Sequence, residues 1–233
     1  LYNQLGNYTK ARSLLSARKF HPWEGGEGMV IKQYLICNVE LAKQSIAAGK
    51  YEDALELLNL AENYPSNLGE GKLAGAQEND IHYWKGVVYE KLGNNEMANK
   101  YYHAAVKGIS EPTRAIFYND PQPDKIFYQG LAWIKLNNQE KATAIFKSLI
   151  SFGEQHIDDN ISIDYFAVSL PGLLVFDADL NLLNKTHCYY LMALGNLGLG
   201  KPYAAIAADF FAQVLHLDNN HQGALIHKTD NIS

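Results

Sequence analysis

Only two cysteines, Cys37 and Cys188, occur in 233 residues, too few for a disulfide framework or a four-ligand zinc site. Basic residues are outnumbered, 20 Lys and Arg against 25 Asp and Glu, so the basic footprint of a nucleic-acid binder is missing. No apolar run approaches the ~18 residues of a membrane span. Proline is scarce: Pro65, Pro112, Pro121 and Pro123 fall between apolar stretches, where they punctuate connectors and leave helix interiors uninterrupted. What is plentiful is apolar and aromatic side chain, 47% and 12% of the residues with 15 Tyr, enough for a sizeable core.

That apolar content is periodic. Gly6, Gly49, Gly93 and Asn137 each stand five residues before an alanine: Ala11, Ala54, Ala98 and Ala142. These alanines are 43, 44 and 44 residues apart, and each leads into bulky residues on one helical face, such as Leu58, Tyr102 and Phe146. Twelve residues before three of them lie Ala42, Gly86 and Gly130, followed three residues later by Ser45, Tyr89 and Trp133. Each unit reads as a helix, a tight Gly or Asn turn at positive φ, and a second helix. The small residue of the first helix is expected to face the alanine of its mate, with aromatics filling the flanking grooves. The expected helices are 29–48 with 51–63, 80–92 with 95–108, and 124–136 with 139–152. A degenerate pair follows at 184–200 and 203–217, then a short turn at 219–227. In that pair Gly195 precedes Ala207 by twelve; the competing Gly200–Ala205 register would turn Phe211 outward.

These spacings resemble the tetratricopeptide (TPR) family, carried here by Gly86, Tyr89, Leu92, Gly93, Ala98, Tyr102 and Ala105, and again by Gly130, Trp133, Leu136, Ala142 and Phe146. About ten extra residues per period depart from the family's unit, as do Ala42 and Ser45. The resemblance implies an all-α superhelix: a partial repeat and loop over 1–28, three regular pairs over 29–152, an insert over 153–183, and a degenerate pair with a tail over 184–233. Within the insert, the stretch 163–175 suits a short buried helix. The chain opens in the register of a second helix, so a first-helix partner or a preceding domain is expected upstream. The segments Phe20–Gly28, Asn67–Leu73 and Glu78–Trp84 are similar to the C-terminal TPR region of large bacterial proteins that carry an N-terminal β-rich domain of unknown function. That likeness implies a carbohydrate-related setting.

In TPR-like proteins the first helix of each pair lines a concave surface. Carried over, that surface comprises Asp80, Tyr83, Val87 and Glu90 in one unit, Asp124, Phe127 and Leu131 in the next, and Tyr189, Met192 and Asn196 in the last. The implied partner is a protein or peptide, including a neighbouring domain of the same chain; no cofactor, metal, nucleic acid or membrane span is called for. The family's basic clamp for a terminal carboxylate is missing. Enzymatic alternatives are thin. Ser66 to Leu73 lacks the first glycine and the hydroxyl of a phosphate loop. Asp177 begins a calcium-like loop without its glycine and glutamate, so an Asx turn capping a helix near Asn184 is the simpler expectation. N-capping likewise accounts for Asp80 and Asp124. One alternative carries weight: Trp23, Glu24, Glu70, Glu78 and His82 from the inserts could form a carbohydrate pocket, with paired carboxylates beside aromatic platforms.

Overall fold

The computed structural model describes residues 1–21, 26–115, 120–161 and 179–230. Among the described residues it forms ten α-helices and no strand: α1 (Tyr8–Ala17), α2 (Met29–Ala47), α3 (Tyr51–Glu62), α4 (Asn79–Lys91), α5 (Asn95–Ala105), α6 (Pro123–Lys135), α7 (Gln139–His156), α8 (Leu180–Gly198), α9 (Ala204–Leu217) and α10 (Gln222–His227). Neighbouring helices pack in pairs, and the chain divides into two compact units, Leu1–Lys107 and Gly108–Ser233.

The turns within pairs share one construction. Gly49, Gly93 and Asn137 adopt positive φ (72°, 75° and 57°), ending α2, α4 and α6. The next amide then reaches back five residues: Lys50 to the Ser45 carbonyl, Asn94 to Tyr89 and Asn138 to Trp133, the closing bond of a Schellman turn. Asn94 and Asn138 also cap the following helix, accepting from the amides of Met97 and Lys141. Asn7 repeats this at the start of α1, accepting from Lys10.

In the first unit two apolar clusters hold the helices. Ala11, Leu15, Ile31, Tyr34, Cys37 and Leu68 join α1 to α2 and the loop after α3. Val39, Ala42, Ala54, Leu58, Ile81 and Val88 join α2, α3 and α4, with Trp84 packed against them. Ala54 and Ala98 are buried, as their spacing predicts. A Cβ at Gly86 would lie 2.5 Å from the Tyr102 ring, so the glycine makes room for the aromatic of α5.

The second unit repeats this, with Gly130 seating the Phe146 ring of α7. Gly195 departs from the pattern. A Cβ there would meet Ile150 and the Phe146 carbonyl, on the preceding helix and not on its mate α9. Gly198 also packs against the Phe146 ring, and Gly153 of α7 meets Met192 and the Cys188 carbonyl of α8. Glycines thus draw α7 and α8 into close contact. In α9, Ala207, Phe211 and Val214 are buried while Ala205 is exposed, which settles the register for Ala207. α8 starts four residues before Asn184, capped by Asp179 through the Leu182 amide. The stretch 163–175 lies outside the described residues.

Candidate functional site

In the first unit, the α4 face bears Asp80, Tyr83, Val87 and Glu90. Asp80 stands in the first turn; the cap position belongs to Glu78, whose side chain makes no cap bond, so N-capping does not explain Asp80. Val87 is buried, Tyr83 half-buried and Glu90 exposed. Tyr83 lies edge-on to Trp84 at 5.3 Å and tilted to Tyr102 at 6.0 Å. The Tyr102 hydroxyl donates to Glu90 Oε2 at 2.5 Å. Burial, reinforced by Glu90, pushes the Tyr102 phenol far up, so it remains a neutral donor that orients the carboxylate. The result is an aromatic edge with a fixed acidic end.

Behind that face lies a charge cluster. Lys85 is 1% exposed in mid-helix, and its ammonium meets Glu62 Oε2 of α3 at 2.5 Å. His82 Nε2 is 3.4 Å from Glu62 Oε1, and Lys72 pairs with Glu78 at 2.5 Å. Burial pushes the Glu62 carboxyl up, but the hydrogen bonds and charges of Lys85 and His82 outweigh it and hold the group below the ordinary carboxylate value. Ligand atoms of Glu62, Glu78 and His82 lie within 4.8 Å of one another, the spacing of a three-ligand cation site. Two ammonium groups already stand against those two carboxylates and balance their charge. Of the residues proposed for an insert pocket, Glu78 and His82 join this cluster. Glu70 instead accepts from the Gly28 amide at 2.8 Å, and Trp23 and Glu24 lie outside the described residues. Sequence reasoning missed Glu62 and Lys85. The available signal was Lys85 itself, four residues after Ile81 and three before Val88 on a buried stripe.

In the second unit Asp124 stands in the first turn of α6, where the side chain of the cap residue Gln122 also makes no capping bond. Its carboxylate serves other helices: Oδ1 accepts from the Tyr190 hydroxyl of α8 and lies 3.0 Å from His227 Nε2 of α10. His227 Nδ1 meets Asp230 at 2.8 Å. Burial alone favours the neutral imidazole, but the two carboxylates outweigh it and push the pKa up to about 9. With both ring nitrogens donating, His227 is a buried cation at neutral pH and not a general base. Phe127, 1% exposed, stands edge-on to the His227 ring at 5.3 Å, and Leu131 is buried on the same face.

On α8 the residue that reaches Asp124 is Tyr190, one position beyond Tyr189. Tyr189 turns to Phe210 of α9 at 6.0 Å. Met192 is buried against Gly153, and Asn196 donates to the Met192 carbonyl of its own helix. Gly195, from which those three positions are counted, packs on α7. Tyr190, His227 and Asp230 carried no spacing signal, since they are joined to Asp124 only by tertiary packing. The thiols of Cys37 and Cys188 are buried and pushed up to about 11, which keeps them protonated and unreactive.

No family model matches the chain, and no solved structure matches it. Among the described residues no helix is long and apolar enough to cross a membrane.

Proposed function

We propose that the chain is a TPR-like interaction scaffold, its helix pairs stacking as a solenoid and its first-helix faces capturing a protein or peptide segment, including a neighbouring domain of its own chain. The observation that carries this reading is the α4 edge, where Tyr83 and Tyr102 lie beside the exposed Glu90 carboxylate. The half-buried Tyr83, backed by the buried Tyr102 ring, offers rigid contact area at low entropic cost, and a hydrogen-bonded carboxylate orients a basic residue of the partner. The TPR-like spacing supports the same assignment for Tyr83 and Glu90, which the resemblance assigns to the ligand side of their pair.

A displayed library of random short peptides, selected on the full chain and read out by fluorescence polarisation, tests the reading. Selected peptides should combine apolar and basic residues, and Tyr83→Ala should weaken them about tenfold or more, the loss expected of a binding hot spot. Unchanged affinity in Tyr83→Ala would remove the α4 face from consideration. Phe127→Ala is unsuited to this purpose, since deleting a ring that is 1% exposed costs ~3–5 kcal/mol of stability.

A further inference from the structure

The second unit holds a segment that behaves as a ligand of its own chain. α10 has six residues, far below the length at which a helix sustains itself in water. Its conformation is therefore imposed by what it touches. His221 caps it, Nδ1 accepting from the Ala224 amide at 3.1 Å, and lays its ring 4.5 Å from that of Tyr190. One face of the helix meets α6 and α8. Gly223 lies flush on Tyr190, where a Cβ would come within 2.1 Å of the phenol oxygen. Ala224 is buried. One turn beyond Gly223, His227 enters the site of Asp124, Phe127 and Tyr128.

These contacts form a recognition pattern: a small residue against Tyr190, and four positions later a basic group on Asp124. The rings of Phe127 and Tyr128 stand against the basic side chain. Asp230, the other partner of His227, travels with the α10 segment and is no part of the surface beneath it. A foreign helix with Gly or Ala followed four residues later by His, Lys or Arg presents the same two features. Helix-in-groove recognition works through such spaced anchors.

We propose that the α6–α8 face is a peptide-binding surface occupied by α10 as an internal competitor, and that the partner it fits is a short helix pairing a small residue with a basic one four positions on. The inference rests on the scaffold reading and deepens it. The α4 test interrogates the first unit, so either can fail while the other stands.

The experiment uses the full chain and, as probe, a labelled synthetic peptide with the sequence of residues 219–230. Gly223→Val expels α10 by collision with Tyr190 and leaves the surface beneath intact. By polarisation, the probe should bind this variant about tenfold or more tightly than it binds the wild type, since the resident segment no longer competes. Asp124→Asn in the Gly223→Val background, or alanine in place of His227 in the probe, should abolish that gain. A folded Gly223→Val chain that ignores the probe, or binds the alanine probe equally well, overturns the proposal. Hydrogen exchange on the wild type decides the matter should Gly223→Val fail to fold. Displaceability requires the α10 amides to exchange through a local opening, faster than the buried amides of α8. Equal protection in the two helices would overturn it.

Discussion

Replacing Gly130 by alanine sets two effects against each other. In an open helix the exchange gains ~1 kcal/mol, because alanine is the better helix former. Here the new methyl would lie 2.4 Å from the Phe146 ring. That ring is fully buried, and Gly198 also packs against it so closely that a Cβ there would stand 2.3 Å away. With two glycines already seating the ring, the overpacking cost lies near the upper end of ~1–3 kcal/mol. Set against the propensity gain, the net loss is about 2 kcal/mol. Urea denaturation followed by far-UV circular dichroism measures it as a lowered midpoint at unchanged slope. Gly75→Ala is the internal control: its Cβ would meet open space at an ordinary φ, so that variant should be neutral or gain ~0.4–1 kcal/mol. Shortening the ring should relieve the clash, making Gly130→Ala with Phe146→Leu less than additive by about 1 kcal/mol. A Gly130→Ala midpoint equal to or above the wild type would refute the packing argument for both units, since Gly86 and Tyr102 rest on the same logic.

The buried ion pair and the buried imidazolium supply the remaining tests. Glu62→Gln strands the Lys85 ammonium and should cost about 3 kcal/mol, the low end for a broken buried pair because the Glu62 side chain is 28% exposed. Lys85→Met, which removes the buried charge and keeps the volume, should cost under about 1.5 kcal/mol; the opposite order of denaturation midpoints would sink the account. His227 is charged in the folded state up to about pH 9 but titrates near 6.5 when unfolded. Its contribution is therefore complete below pH 6.5 and disappears as the pH climbs to 9, a loss of about 3 kcal/mol. The groups facing it are Asp124, Tyr128 and Asp230, with the Tyr190 hydroxyl bound to the same Asp124 oxygen. Unfolding curves across that range should converge for wild type and His227→Gln, and parallel curves would contradict the assignment.

The paired helices are legible in the sequence because Ala54, Ala98 and Ala142 are small residues buried at one recurring position, and Gly49, Gly93 and Asn137 need backbone angles few residues tolerate. Both constraints are local and recur at a fixed interval. Less legible is what a glycine faces. Gly130 looks to its mate, while Gly195, with the same spacing to Ala207, looks to the helix before it. Polar clusters are legible in part. Asp124 stands out at a position the TPR-like spacing marks, but its partners lie 66 and 103 residues away and announce themselves only once the chain has folded. Glu78 and His82 are found from the inserts, whereas Glu62, at the end of α3, looks like any solvated helix terminus until Lys85 points at it.

The back-reaching amides of Lys50, Asn94 and Asn138 bear on how the molecule assembles. Each hairpin reverses direction through bonds spanning five residues, so its instruction to fold back is written within itself. Loop-closure entropy for such a reversal is small, and contacts near in sequence are the ones a chain finds soonest. Three separate nuclei are thereby available along the polypeptide, with no obligatory starting point. An error at one bend delays only its own two rods.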